Sequence, residues 1–471
     1  MSSRPSRSPK TTPRSSYSAN RVLPSDWGDG NLPPRVFRLP ADWADLRDRY
    51  RGLGPSDPLD SAFDLLAAEG ATVALLERAY IDADYRDEYA HFYASRYRPV
   101  PDRCERLHFV ENQRYLGYIS IRPIKRRPVS RTLLAPPLAL QDHVSCVADA
   151  TAHVFRNKQP IQCFPFMGQD AQYGICAHAS IWMVAHYHHL VHRTRRVFVS
   201  DVVTAARVRA IDRQTPSPGL TLEQVGAALS EIGLPAVRYR VEVLAQRHEL
   251  EQVVCRYLNS RIPLLLVLPG HVTVLVGYGR DSTTGELFFV RNDDAAGPYV
   301  RIDDWQNDPK GDWLYIFVPM PGRIYLVGEL AEFIARRELD RLINSRPELA
   351  EIAQHLTADE LRFRTYVTRG SDYKLHLQSR GLPPEVVRRH SIFGLSNWVW
   401  VTELQDRAAA ASGRACVVGE VVIDATSDHY DPNFLLANLP GYWLGWRATV
   451  PEWHAVSAAA GLYETGAALH A

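Results

Sequence analysis

Cys176 follows a polar, glycine-containing loop, Gln169-Asp-Ala-Gln-Tyr-Gly-Ile, and opens an apolar run. Cys176, Ser180, Met183, Tyr187 and Leu190 recur at helical spacing, which predicts a helix that begins at the cysteine. The first turn of a helix carries unpaired N–H groups and the positive end of the dipole, and both favour an anion. A thiolate is such an anion, and a helix N-terminus is one place where a cysteine pKa falls toward neutrality. Nucleophilic attack is the chemistry this position suits. A small buried hydrophobe is the competing reading of a lone cysteine.

A second stretch supplies what a cysteine nucleophile would need. Pro263-Leu-Leu-Leu-Val-Leu reads as a buried strand, Pro269-Gly270 as a break, and His271 opens a second strand that runs to Gly277-Tyr278. A third strand follows from Glu286 and ends at Asn292-Asp293-Asp294. Antiparallel pairing would bring the start of the His strand beside the end of the next. A cysteine needs a base, and the base needs a group that fixes its ring. Cys176, His271, and Asp293 or Asn292 supply all three in that chain order.

These residues resemble the papain-like cysteine peptidases, nearest the branch of double-glycine leader peptidases and their relatives without a transporter. Cys176, Ser180 and Met183 match the spacing of that branch, in which a Gln precedes the Cys by a short loop. His271, Gly277-Tyr278 and Asn292-Asp293 match its His strand and the strand after it. Asp294 stands where that branch has Pro, and Ala177-His178 where it has Gly-Pro. The resemblance runs over roughly residues 160–320. It implies an α+β fold with a papain-like core, in which a helix-borne Cys packs on an antiparallel sheet carrying His and Asp/Asn. It implies Cys176 as nucleophile, His271 as base, Asp293 as the orienting group and Asn292 as its reserve. It also implies that Gln169 or Gln172 donates to the oxyanion together with the N–H of Cys176. Gln169 is preferred, because its longer loop is closer to the family spacing. The reaction implied is cleavage of a peptide or isopeptide bond. Acyl transfer, transglutamination or deamidation would use the same three groups, and a non-catalytic papain-like binding module is the reading outside enzymes.

The composition sets the frame. The chain has 471 residues, 46% hydrophobic and 23% charged, with a net charge of +1. That balance fits a multidomain globular protein and gives no general pull toward nucleic acid or an anionic membrane. Six cysteines are scattered without a CxxC pair, too sparse for a disulfide scaffold or a zinc finger. No stretch reaches the roughly 18 uncharged apolar residues of a membrane helix. A cytoplasmic protein with a peptide or protein substrate, no cofactor, no metal and an open oligomeric state is expected.

Four regions are expected. Residues 1–35 form a Ser/Arg/Pro-rich disordered tail, and 36–155 an N-terminal α+β region. Residues 156–320 form the peptidase core, and 321–471 a C-terminal α+β region of unassigned role. In the second, Ser61–Glu69 and Ala71–Tyr80 carry helical patterning, Asp82–Tyr93 reads as an acidic helix with inward tyrosines, and Val144–Phe155 as a strand leading into the Cys loop. His188 and His192 are one helical turn apart, a metal-binding spacing with no further ligand nearby, so they read as a polar helix end. Glu403, Glu420, Asp424 and His429 are expected as outward or paired residues of a hairpin rather than an acid–base cluster.

Overall fold

In a computed structural model the described residues are 23–24, 26–27, 29–207, 219–244, 247–307, 312–349, 360–411, 415–428, 433–447, 450–456 and 462–466. They form a mixed α+β structure with three antiparallel sheets. His429 and most of the expected tail lie outside these residues. Within that tail, Trp27 Nε1 donates to the Arg103 carbonyl at 3.2 Å, and Asp26 pairs with Arg49 and Arg78.

The first sheet contains β1 (Arg35–Arg38), β2 (Val73–Tyr80), β3 (Cys104–Glu111), β4 (Arg114–Ile121), β5 (Val129–Leu134), β6 (Ala148–Val154) and β7 (Asn157–Phe166). Their order is β1-β2-β3-β4-β5-β7-β6. Three helices belong to this part: α1 (Trp43–Arg51), α2 (Asp57–Ala68) and α3 (Ala83–Glu88). The helical reading of Ala71–Tyr80 is overturned. Its apolar residues also satisfy an alternation of two, with Ala74 and Leu76 buried, and β2 pairs with β1 and β3 on its two sides. The acidic helix is shorter than expected: α3 gives way to a π-helical turn at Tyr89–Tyr93, with Tyr85 and Tyr93 buried. The strand read over Val144–Phe155 does not itself enter the Cys loop. β6 turns back at Phe155, where φ is +54°, and β7 makes the approach. The seam expected between 155 and 156 thus falls in a hairpin turn.

The second sheet contains β8 (Ala236–Arg240), β9 (Leu264–Leu268), β10 (His271–Arg280), β11 (Leu287–Asp293), β12 (Gly297–Ile302) and β13 (Tyr315–Pro319), in the order β12-β11-β10-β9-β13-β8. Its helices are α4 (Cys176–His192), α5 (Val199–Arg207), α6 (Leu222–Glu231) and α7 (Arg247–Asn259). All five residues of β9 are buried, which suits a central strand covered on both faces. Pro269-Gly270, with Gly270 at φ +70°, reverses the chain into β10. α6 starts with a capping box in which Thr221 and Gln224 satisfy each other's backbone N–H. The third sheet contains β14 (Leu361–Arg369), β15 (Trp398–Asp406), β16 (Val417–Asp424), β17 (Phe434–Leu439), β18 (Tyr442–Arg447) and β19 (Val450–Ala455), paired in sequence order, and α8 (Gly328–Ser345) leads into it.

The parts are stitched together. The Tyr299 hydroxyl of β12 donates to the Leu134 carbonyl and accepts from Phe164 N–H, each at 2.8 Å. A side chain at Gly277 would collide with the His143 carbonyl, its Cβ only 2.0 Å away. The glycine therefore lets the 143–146 segment lie against β10, where Cys146 N–H bonds Val276. Trp400 Nε1 of β15 donates to Leu326 at 2.8 Å, and Arg256 of α7 pairs with Glu329 and Glu332 of α8. One apolar cluster runs through all three parts.

Candidate active site

α4 begins at Cys176, where the apolar periodicity places its start. Ile175 is its N-cap, and the Ile175 N–H points at Nδ1 of His178 at 3.4 Å. His178 is buried, and burial pushes it down to about 4, so a neutral ring caps the helix. That arrangement turns His178 Nδ1 toward the backbone. Cys176 is half-buried on the first turn. One turn later the Ser180 hydroxyl donates to the Val272 carbonyl at 2.9 Å, fixing the helix start against the strand that begins with His271.

His271 Nε2 lies 2.9 Å from Asp293 Oδ1. Cys176 lies close enough to the ring to favour its protonated form. The ring thus has the Asp293 carboxylate at Nε2 and the Cys176 thiol as a further neighbour. Strand parity sets which of Asp293 and Asn292 faces His271. Val274 pairs with Asn292, so Asp293 falls opposite Thr273, on the same face as His271 and diagonal to it. Asn292 takes the other face, where its Oδ1 accepts the Tyr299 N–H at 2.9 Å. Asp293 is held in turn, Oδ1 accepting from Ala295 N–H at 2.9 Å and Ala296 N–H at 3.2 Å. Burial disfavours a charged His271. The hydrogen bond to Asp293, the neighbouring Cys176 and the charges of Asp293 and Asp294 outweigh burial and raise the ring to about 10. An imidazolium held next to a thiol is the counter-ion a thiolate requires.

The loop before Cys176 is wound around Asp170, which the sequence reading had passed over. One carboxylate oxygen accepts the N–H groups of Gln172, Tyr173 and Gly174, and the other accepts the Tyr93 hydroxyl. Ala171 sits at φ +58° inside this turn. The two candidate amides fare differently. Gln172 Oε1 accepts from Arg96. Gln169 has no side-chain partner among the described residues. The Gly168 carbonyl, next to Gln169, accepts from Arg122 at 2.7 Å, and Arg122 is buried against Glu88. The N-terminal sheet and α3 thus hold the loop. An Asp after a Gln and ahead of a Tyr-Gly turn was the available signal, since such an Asp folds backbone N–H groups onto itself. Arg122 carried no local signal.

Other chemistry-bearing residues find structural partners. Burial pushes the thiols of Cys104, Cys146, Cys163, Cys255 and Cys416 upward, so they stay protonated. Burial pushes His188 down to about 3 and His192 down to about 4, and both remain neutral, the latter edge-on to Trp398. Among the described residues the single His, Cys, Asp or Glu grouping tight enough to chelate is His271, Asp293 and Asp294. Its nearest atoms already bond one another, which makes it a hydrogen-bonded pair with a neighbour rather than an open ligand set. Glu403 and Glu420 are buried on paired positions of β15 and β16 and both bind Arg380. No helix is long and apolar enough to cross a membrane, among the described residues.

No protein-family model matches the chain, and no curated protein does. Among solved structures, a double glycine motif protease from an AMS/PCAT transporter, in complex with the leader peptide, aligns over 31% of this chain and 84% of its own. Identity there is 22% and the TM-score 0.21. UfSP from C. elegans aligns over 33% of each chain, with 17% identity and a TM-score of 0.25. Both likenesses are too slight to decide fold or chemistry.

Proposed function

We propose that this chain is a papain-like cysteine hydrolase acting on a peptide or isopeptide bond. Cys176 is the nucleophile, His271 the acid and base, and Asp293 the orienting group. The observation that carries the reading is the position of one ring. His271 bonds Asp293 through Nε2 and lies beside Cys176, which opens a helix. In this reaction the Cys176 thiolate attacks the carbonyl carbon and forms a tetrahedral oxyanion. The Cys176 N–H and the Gln169 amide donate to that oxygen. The C–N bond breaks as the His271 imidazolium gives its proton to the departing amine. Neutral His271 then takes a proton from water, whose oxygen attacks the thioester. The C–S bond breaks, an acid leaves, and the thiolate–imidazolium pair returns.

The test needs no substrate. Native protein is exposed briefly to iodoacetamide near pH 6 and each cysteine is quantified by mass spectrometry. Selective labelling at Cys176, lost in His271→Ala and kept in His178→Ala, is expected. Equal labelling of all cysteines, or labelling of Cys176 unchanged in His271→Ala, would remove the reading. Cys176→Ala should retain the fold by circular dichroism and lose all turnover once a substrate is found.

A further inference from the structure

Asp294 is a carboxylate that the proposed chemistry does not use. It is fully buried, and neither of its oxygens has a hydrogen-bond partner outside its own residue. Buried carboxylates are ordinarily bonded, because an unpaired one forfeits its hydration for nothing. Asp294 Oδ1 lies 4.0 Å from His271 Nε2, on the side of the ring where Asp293 already makes the short contact. It also occupies the position that is Pro in the pattern this chain resembles, so a residue without charge would suffice for the turn.

We propose that Asp294 is a positioning residue for the Cys176–His271 pair: its charge, not a hydrogen bond, holds the imidazolium and extends the working range toward alkaline pH. The proposal rests on the cysteine-hydrolase reading. The groups that face Asp294 are His271 of β10, Asp293 of β11 and Arg127 of the segment after β4. Arg291 stands beyond Asp293 with Nε 3.7 Å from its Oδ2, and Cys176 stands beyond His271. Burial pushes the Asp294 carboxyl up, His271 pulls it down, Asp293 pushes it up and Arg127 pulls it down, leaving it at about 7. Asp294 therefore loses its proton before His271 does, and it is anionic in the range where His271 would otherwise begin to lose its own. Its two states affect opposite limbs of the pH profile unequally. Removing the charge leaves the acid limb in place and brings the alkaline limb down.

The experiment measures the rate of Cys176 carboxymethylation by iodoacetate between pH 4 and 11, in EDTA. This anionic reagent reacts fastest while thiolate and imidazolium coexist, so the profile is a bell. Asp294→Asn should lower the alkaline limb by about one unit or more, as expected for losing a unit charge near 4 Å, and leave the acid limb unmoved. Asp294→Pro should behave likewise, while Asp294→Glu should keep the wild-type limb. Thermal midpoints at pH 5 check that each variant is folded, and either neutral variant suffices if the other is not. An unmoved alkaline limb, or two limbs that move together, would overturn the proposal. His271→Ala separates this from the underlying reading: if it retains a bell, the hydrolase reading fails whatever Asp294 does.

Discussion

Asp293 and Asn292 differ by one position, and that offset turns one toward His271 and the other toward the backbone of Tyr299. From the sequence both were open, because an amide and a carboxylate can each orient an imidazole. The register of β10 on β11 sets which of them faces His271, and register is a property of the pair of strands rather than of either stretch. The two substitutions should therefore fail in different ways. Asp293→Ala is expected to lower turnover roughly a hundredfold or more and to lose the selective labelling of Cys176. Asn292→Ala strips the buried Tyr299 N–H of its acceptor and should cost about 1–3 kcal/mol of stability, read by urea denaturation, with Cys176 labelling retained. A rate loss in Asn292→Ala with Asp293→Ala still active would reverse the roles.

At the scale of elements, the Cys helix and the His strand were legible because their signals are local. The stripe from Cys176 to Leu190 and the Pro-Gly break before His271 each need only a dozen neighbouring residues. β2 was not legible, since Val73–Tyr80 satisfies helical and strand periods alike, and only its position between β1 and β3 resolves the ambiguity. The 168–175 loop was readable in composition but not in shape. Its form comes from Asp170 within it and from Arg122 and Tyr93, which arrive from sequence positions far upstream. That shape bears on the two glutamines. The Gln172 carbonyl oxygen is taken by Arg96, whereas Gln169 follows the carbonyl that Arg122 anchors. Gln169→Ala should slow turnover about a hundred- to a thousandfold while Cys176 labelling survives, because the amide serves the transition state and not the thiolate. Gln172→Ala should do neither. If Gln172→Ala alone shows the split, the donor is Gln172 and the mechanism is otherwise intact.

At the scale of the molecule, the far end of the Cys helix is held by the C-terminal sheet. The His192 carbonyl accepts from Arg369 at 3.2 Å, and the His192 ring lies against Trp398. The neighbouring Trp400 is fully buried, stands edge-on to Tyr257 with centroids 6.1 Å apart, and bonds the chain at Leu326. Trp400→Ala should cost about 3–5 kcal/mol, measured by chemical denaturation, though the residue is distant in sequence from every candidate catalytic group. A cost below 1 kcal/mol would mean that the third sheet is only loosely attached.

The order of strands in the second sheet has a consequence for the moment of synthesis. β13, the last of its strands to be made, lies between β9 and β8, which are made earlier. Cys176 thus emerges from the ribosome well before His271 and Asp293, and the sheet that carries its base is incomplete until Pro319 has followed. On the proposed chemistry, a chain cut short before Tyr315 would lack the strand seated between β9 and β8, and it is expected to show no selective labelling of Cys176.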